Sequence, residues 1–228
     1  GVVIYDGTDQ KPESNDLQLT DTAANVHISY YAADGTPVSD FTDAGIYQIV
    51  VSADNYTSVT LPFVVQKKQL TPDMVSDPAE AVYNGTQQTP QVTVSDGNAL
   101  KAEDYAVSYG SNTHAGTGLI TVAATAEGNY FGTVTKAFDI QPLDLSKVTV
   151  TVSSLNNAEY SGEAQYQQPT VTVELNGTAQ TLTLGADYTL SYTGDAVHVT
   201  DKGVKVSITG AGNFTGTLTD AAAYQITP

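Results

Sequence analysis

The sequence predicts an all-β protein made of three tandem small β-sandwich modules in an elongated array. Three observations lead to this prediction. Apolar residues alternate with polar ones over short segments, Gly and Asn pairs separate these segments at hairpin spacing, and the same blocks recur three times along the 228 residues. No segment carries the apolar stripe of an amphipathic helix.

The repeated blocks keep the same order in each copy. A Tyr-x-Gly turn comes first, an alternating strand ending in Ser-Tyr comes second, a small turn ending in Gly comes third, and an Asn-aromatic turn precedes the last strand. The Tyr-x-Gly turns start at Tyr5, Tyr83 and Tyr160, the strands end at Tyr30, Tyr109 and Tyr192, the small turns end at Gly45, Gly116 and Gly203, and the aromatic residues are Tyr56, Tyr130 and Phe214.

Module boundaries are expected where each last strand ends and a short linker begins. The predicted modules are residues 1–66, 67–141 and 142–228, and the first is N-terminally clipped or divergent because little sequence precedes its Tyr-x-Gly turn. Modules of this size bury only about 60% of their unfolded surface, so each is marginal alone. We therefore expect short linkers to pack neighbouring modules together.

An alternative fold is a β-grasp-like module with one short helix. The nearest helical segment starts at Thr71, which is suited to an N-cap, and Pro72, which suits the first helical position, but Pro78 stops it within about two turns. The sequence predicts at most one helical turn here. A genuine helix near residues 71–81 would favour the β-grasp alternative.

The charge balance excludes several classes of partner. Lys and Arg total 8 against 25 Asp and Glu, a net charge of −17, and each predicted module is separately acidic. Nucleic acids and anionic membrane surfaces need clustered basic residues, so neither is an expected partner. No apolar run is long enough to span a membrane, which argues against direct membrane insertion. Zero cysteines exclude disulfides and thiolate metal sites.

The blocks of the middle copy resemble a known class of repeat. Residues 83–140 carry the segments YNGTQQTPQVTV, EDYAVSY, HAGTG and EGNYFGTVTKAFDI, residues 160–226 follow them well, and residues 5–65 follow them loosely. This pattern resembles the tandem surface repeats of bacteria known as MBG-type or bacterial Ig-like repeats. The resemblance implies Ig-like modules of an extracellular cell-surface, cell-wall or secreted protein, with a stalk or adhesion role. Signal and anchor segments are then expected outside residues 1–228.

The aromatic turns are the candidate ligand-binding residues. Tyr56, Tyr130 and Phe214 occupy equivalent turns and could line one edge of the array, where a host glycan, mucin or an extracellular protein would rest. The alternative interpretation is that Gly and Asn supply the positive φ of a tight turn and the aromatic ring packs over a module end. The alternative function is a ligand- or glycan-binding accessory region of a secreted glycan-active enzyme.

The candidate metal site is an acidic loop of the first module. Asp34, Asp40 and Asp43 supply the carboxylate oxygens that Ca²⁺ prefers, without the spacing of an EF-hand. A solvated acidic loop is the alternative. No other cofactor is expected.

No catalytic residue is expected, and the chain is predicted not to be an enzyme. Glu103 and Asp104 are neighbours at the start of a predicted strand and are expected to point to opposite faces, which suits a turn role for Asp104 better than shared acid–base chemistry. No nucleophile motif occurs. The predicted protein is a monomeric, non-catalytic stalk or adhesion segment.

Overall fold

The predicted all-β fold class is confirmed. The computed structural model describes residues 1–17, 25–153 and 155–228, in which 22 strands and two three-residue 3-10 helices are assigned. The strands form several separate sheets. The number of modules and their arrangement stay predictions.

The described part of residues 1–66 contains a four-stranded sheet with the order β1-β4-β3-β2. Strands β2, β3 and β4 pair antiparallel, whereas β1 pairs with β4 in parallel. The strands are β1 (Val2–Ile4), β2 (His27–Ala32), β3 (Gly45–Ser52) and β4 (Val59–Gln66).

Residues 67–141 contain short strands around a second four-stranded sheet, with the order β6-β12-β10-β9. The elements are β5 (Lys68–Gln69), the 3-10 helix η1 (Pro72–Met74), β6 (Ala81–Val82), β7 (Ser95–Asp96), β8 (Asn98–Ala99), β9 (Tyr105–Tyr109), β10 (Gly116–Ala124), β11 (Tyr130–Phe131) and β12 (Thr133–Gln141). Strand β5 pairs in parallel with β11, and β6 pairs in parallel with β12.

Residues 142–228 contain two three-stranded antiparallel sheets, β14-β16-β17 and β18-β19-β21. The elements are β13 (Leu143–Asp144), the 3-10 helix η2 (Leu145–Lys147), β14 (Val150–Val152), β15 (Ala158–Glu159), β16 (Val171–Leu175), β17 (Thr178–Thr181), β18 (Tyr188–Thr193), β19 (Val204–Gly210), β20 (Phe214–Thr215), β21 (Thr217–Tyr224) and β22 (Ile226–Thr227). Two parallel pairs complete this part, β13 with β20 and β15 with β22.

The chain divides into two compact units whose limits differ from the predicted module boundaries. Unit 1 comprises residues 1–76, 92–108 and 121–135, and unit 2 comprises residues 77–91, 109–120 and 136–228. Residues of the predicted middle module contribute to both.

The core of unit 1 is organised around Phe41. Its ring is fully buried and stacks on Tyr47, with 4.1 Å between centroids, and it also contacts Phe63 and Tyr30 at 5.4 and 5.5 Å. The backbone amide of Phe41 donates to Asp9 Oδ1 at 2.9 Å, which holds this loop residue over the sheet. Unit 1 therefore has an aromatic core supplied partly by a loop.

The core of unit 2 follows the alternation that the sequence predicts. Val204, Val206 and Ile208 of β19 are fully buried, and the residues between them face outward or are half-buried. Tyr224 and Ile226 pack against the first two of these valines. This is the period-two pattern of a strand with one face in a core.

The helix that the β-grasp alternative requires near residues 71–81 is not formed. Only Pro72–Met74 adopt a 3-10 turn, preceded by Thr71 at the N-cap position. Val75 already has extended backbone and bridges to Val94. Separately, no helix in the described part of the chain is long and apolar enough to span a membrane.

We expect Phe41→Ala to destabilise unit 1 by about 3–5 kcal/mol, because it removes a fully buried ring and leaves a cavity among three others. Hydrogen exchange of the β3 amides measures the loss. Val59→Ala, at an exposed position of the same sheet, is the control and should cost less than about 0.5 kcal/mol. Equal effects of the two substitutions would contradict the assignment of Phe41 as the core residue.

Candidate functional site

Three kinds of turn recur in the repeats, and the structure brings one turn of each kind together at two places. We call them the tyrosine turns (residues 5–7, 83–85 and 160–162), the acceptor turns (residues 43–45, 114–116 and 201–203) and the aromatic turns (residues 54–56, 128–130 and 212–214). In unit 1 the aromatic turn 128–130 contacts the tyrosine and acceptor turns of the preceding repeat, and we call this the first junction. The second junction, in unit 2, joins the aromatic turn 212–214 to turns 83–85 and 114–116.

At the first junction the side chain of Asn129 bridges two groups of the acceptor turn. Its Oδ1 accepts a hydrogen bond from the backbone amide of Ala44 at 2.7 Å, and its Nδ2 donates to Asp43 Oδ1 at 3.1 Å. Asn129 is buried. One amide group therefore satisfies a donor and an acceptor that lie about 85 positions earlier in the chain.

A buried carboxylate positions Asn129 from its own repeat. Asp104 Oδ1 accepts from the backbone amide of Asn129 at 2.8 Å, and Asp104 Oδ2 accepts from the amide of Lys101 at 3.2 Å. Asp104 is almost completely buried. A Cβ at Gly128 would lie 2.6 Å from Asp104 Cα, so this close approach requires glycine.

The second junction uses the same bridge with one different acceptor. Asn213 Oδ1 accepts from the backbone amide of Ala115 at 2.8 Å, as Asn129 does from Ala44. Asn213 Nδ2 lies 3.1 Å from His114 Nδ1, which accepts when the imidazole carries its proton on Nε2. Asn176 adds a contact to the preceding tyrosine turn, donating from Nδ2 to the Asn84 carbonyl at 2.9 Å.

Aromatic rings pack edge to face at both junctions. Tyr5 and Tyr130 have centroids 5.5 Å apart with planes at 75°, and Tyr83 and Phe214 have centroids 5.4 Å apart with planes at 79°. Such pairs contribute about 0.5–1.5 kcal/mol beyond their buried area. The two junctions thus share both a hydrogen-bonded bridge and a ring pair.

Burial and a neighbouring acid raise the pKa of Tyr130. Desolvation is the larger cause, and the negative charge of Asp96 is the next. The Tyr130 hydroxyl donates to Asp96 Oδ2 at 3.3 Å, and the same carboxylate is paired with Lys68 Nζ. The ring is therefore held at both ends, by Tyr5 and by Asp96.

The structure separates the three predicted ligand-binding residues. Tyr130 and Phe214 are only 4% and 2% exposed, with their rings in the junctions, whereas Tyr56 is 56% exposed. Tyr130 and Phe214 thus have no open ring face for a ligand to stack on. Ligand binding by Tyr56 stays a prediction.

The three aspartates predicted as calcium ligands each accept hydrogen bonds from other residues of the chain. Asp34 accepts from the Thr36 amide and Asp40 accepts from Thr42, and these hydrogen bonds lower the pKa of both carboxyl groups. Asp43 is bonded to Asn129. Among residues 1–17, 25–153 and 155–228 no group of three or more acids or histidines is arranged to hold a metal ion. Calcium binding stays a prediction.

Asp104 and its counterpart Asp187 both act in turns. Asp187 Oδ2 accepts from the Thr183 amide at 2.8 Å, and the Asp187 carbonyl accepts from the Ala211 amide at 2.8 Å. Each aspartate therefore supports the aromatic turn of its own repeat, through its carboxylate in one case and its carbonyl in the other.

Sequence reasoning missed the bridging role of the two asparagines. It assigned them to turns that need positive φ, but among the described turns of this kind only Asn55 is a non-glycine residue with positive φ, at 65°. The available signal was the joint recurrence of an Asn in one block and a small x-Ala-Gly turn in another, in repeats one and two.

Comparison with models of known protein families and with curated proteins finds no match for this chain. The resemblance to bacterial surface repeats stays a prediction from the motifs.

We expect Asn129→Ala to speed amide hydrogen exchange at Ala44, because the substitution leaves a partly buried N–H without its acceptor, at a cost of about 1–3 kcal/mol. Asn213→Ala should have the same effect at Ala115. The two variants are mutual controls, since each should leave the other amide within about 0.5 kcal/mol of wild type. Unchanged exchange at Ala44 in Asn129→Ala would contradict the bridge.

We expect the stability of unit 1 to fall as the pH rises above about 10, because a tyrosine with a raised folded-state pKa ionises more readily when unfolded. The contribution is complete below pH 10 and is lost as the pH rises toward the folded-state pKa. Tyr130→Phe should lose less stability than wild type over this range, measured by urea unfolding at a series of pH values. A ¹³Cζ titration of Tyr130 with a midpoint near 10 would show the assignment to be wrong.

Proposed function

We propose that this chain is a non-catalytic repeat segment of a bacterial surface protein, where it acts as an extracellular stalk that holds adhesion or binding domains away from the cell. The proposal rests on one observation, the parallel pairing of a strand near the start of each repeat with the strand that ends it. The other features of the chain agree with it.

The parallel pairs occur in all three predicted repeats. They are β1 with β4, β6 with β12, and β15 with β22. The next residue after each first strand extends the pairing, because the amides of Tyr5, Tyr83 and Tyr160 donate to the carbonyls of Gln66, Gln141 and Thr227, each at 2.8 Å. This donor is the Tyr of the tyrosine turn in every case.

Parallel pairing of terminal strands suits a segment that is pulled along its chain. Tension applied at the N-terminal end of the first strand and at the C-terminal end of the last strand acts at opposite ends of a parallel pair. The interstrand hydrogen bonds are then loaded in shear and must break together, whereas bonds in an antiparallel hairpin pulled from its open end break one at a time. A stalk needs this resistance to shear.

The placement of the acidic residues supports a structural role over catalysis. Asp104 supports the Asn129 turn, Asp43 accepts from Asn129, and Asp96 accepts from Tyr130 while paired with Lys68. These carboxylates serve the junctions through hydrogen bonds to backbone and side-chain donors. We propose no catalytic role for any of them.

The distribution of charge agrees with a long exposed segment. Each predicted module is acidic, so the net charge of −17 is spread along the chain rather than confined to a tail. Like charges on successive modules oppose collapse and self-association. We propose that the segment is a monomer. The partners proposed for the parent molecule are host glycans, mucin or an extracellular protein.

We expect the β1–β4 pair to resist force more strongly when pulled in shear than when peeled from one end. The chain has no cysteine, so a single introduced cysteine gives a unique attachment point. Gln66→Cys and Thr60→Cys place it at exposed positions near opposite ends of β4. With the second handle before Gly1, the Gln66→Cys form should rupture at the higher force in single-molecule pulling.

The two forms are matched controls, because they differ only in the direction of force on the same strand pair. A rupture force in the Gln66→Cys form equal to or below that of the Thr60→Cys form would contradict a load-bearing role.

A further inference from the structure

The third tyrosine turn has the geometry of the other two, but no ring from the described part of the chain covers it. Tyr5 and Tyr83 are 8% and 6% exposed beneath Tyr130 and Phe214, whereas Tyr160 is 53% exposed. Its ring is thus open to solvent at the position where the rings of its counterparts meet the following repeat.

The turn around Tyr160 is already in the conformation that the two junctions use. Gly7, Gly85 and Gly162 have φ values of 81°, 82° and 81°. The Tyr160 amide donates to the carbonyl of the last strand at the same 2.8 Å as its counterparts. The turn therefore needs no rearrangement before a partner ring can pack on it.

Asp201 and Lys202 of the third acceptor turn are exposed as well. Asp201 corresponds to Asp43, and the amide of Lys202 corresponds to that of Ala44, which donates to Asn129 at the first junction. Within the described residues the Lys202 amide makes one long hydrogen bond, 3.3 Å to Thr200 Oγ1. An asparagine side chain placed as at the first junction would offer this amide a better acceptor.

We propose that Tyr160 and residues 201–203 form a docking surface for one further repeat of the same pattern. The aromatic residue of that repeat packs edge to face on Tyr160. The asparagine before it accepts from the Lys202 amide through Oδ1 and donates to Asp201 through Nδ2. The occupant is a β module with an Asn-aromatic turn, because that chemistry fills the equivalent surface in both units.

The chain sequence provides a register for such a module. Ile226-Thr227-Pro228 at the end of the third repeat corresponds to Ile140-Gln141-Pro142 at the end of the second. After Pro142, residue 143 starts β13, which leads into the repeat that carries Asn213. A segment joined after Pro228 in this register starts at the position from which the existing repeat reaches its junction. Covalent attachment raises the effective concentration to about millimolar, so a small surface suffices. The docking surface formed by Tyr160 and residues 201–203 does not depend on the proposed load-bearing function.

The test extends the full chain with a second copy of residues 143–228 placed after Pro228. Amide hydrogen exchange at Lys202, followed by NMR, is compared in the extended and the original chain. We expect exchange at Lys202 to slow by about tenfold on extension, because its amide gains a partly buried acceptor. The gain should disappear when the asparagine of the added copy that corresponds to Asn213 is changed to Ala.

Tyr160→Ala in the extended chain should weaken the protection of Lys202. Tyr166→Ala, which removes a similarly exposed tyrosine outside the docking surface, is the matched control and should preserve it. Folding of the added copy is followed independently, through protection of its own β19 amides. Protected β19 amides with unchanged exchange at Lys202 would overturn the proposal.

A second extension guards against a misfolded addition. Residues 68–228 placed after Pro228, in the register that follows Gln66-Lys67, make the Asn129-Tyr130 turn the first aromatic turn after Tyr160. In the first extension that place is taken by the Asn213-Phe214 turn. Slower exchange at Lys202 in either extended chain supports the docking surface. Failure of both extensions to protect Lys202, whether or not the additions fold, would refute the docking surface. Protection of Lys202 that arises only through concentration-dependent self-association of the original chain would refute it as well.

Discussion

At each junction an asparagine side chain bridges two repeats. Asn129 and Asn213 each present one donor and one acceptor, and the acceptor turn presents a backbone amide and a side-chain acceptor at matching positions. The backbone N–H of Ala44 or Ala115 determines which way round the amide must lie. The interaction is local in space but spans more than 80 positions of sequence, so it links turns that neither repeat would bring together alone.

The junctions solve one packing problem with two sets of residues. In the first, the carboxylate of Asp104 holds the Asn129 backbone and Gly128 allows the close approach. In the second, the carbonyl of Asp187 accepts from Ala211. The position before the asparagine is glycine in both repeats, and here a Cβ would collide with a neighbouring backbone. A short turn that must lie against backbone and also present a side chain outward has few alternatives.

The all-β class was accessible from the sequence because strand burial follows a period of two, as in Val204, Val206 and Ile208. The repeat of the Tyr-x-Gly turns was accessible because glycine adopts the required φ near 81° without steric cost. The burial of Tyr130 and Phe214 could not be predicted from the sequence, because Tyr56 shares their sequence context and is exposed. Whether such a ring is covered depends on contacts with another repeat, and these leave no periodic signal in the sequence. The limits of the two compact units could not be predicted either, because they also depend on contacts that leave no periodic signal.

The central claim is that the asparagine amide bridges consecutive repeats, and NMR tests it directly. In selectively labelled protein, a nuclear Overhauser effect between the side-chain amide protons of Asn129 and the backbone amide proton of Ala44 reports their proximity, and the pair Asn213 and Ala115 reports the second junction. The account predicts both cross-peaks in the wild-type chain at neutral pH. Absence of both, with the β-sheet cross-peaks of β3 and β19 intact, would contradict it.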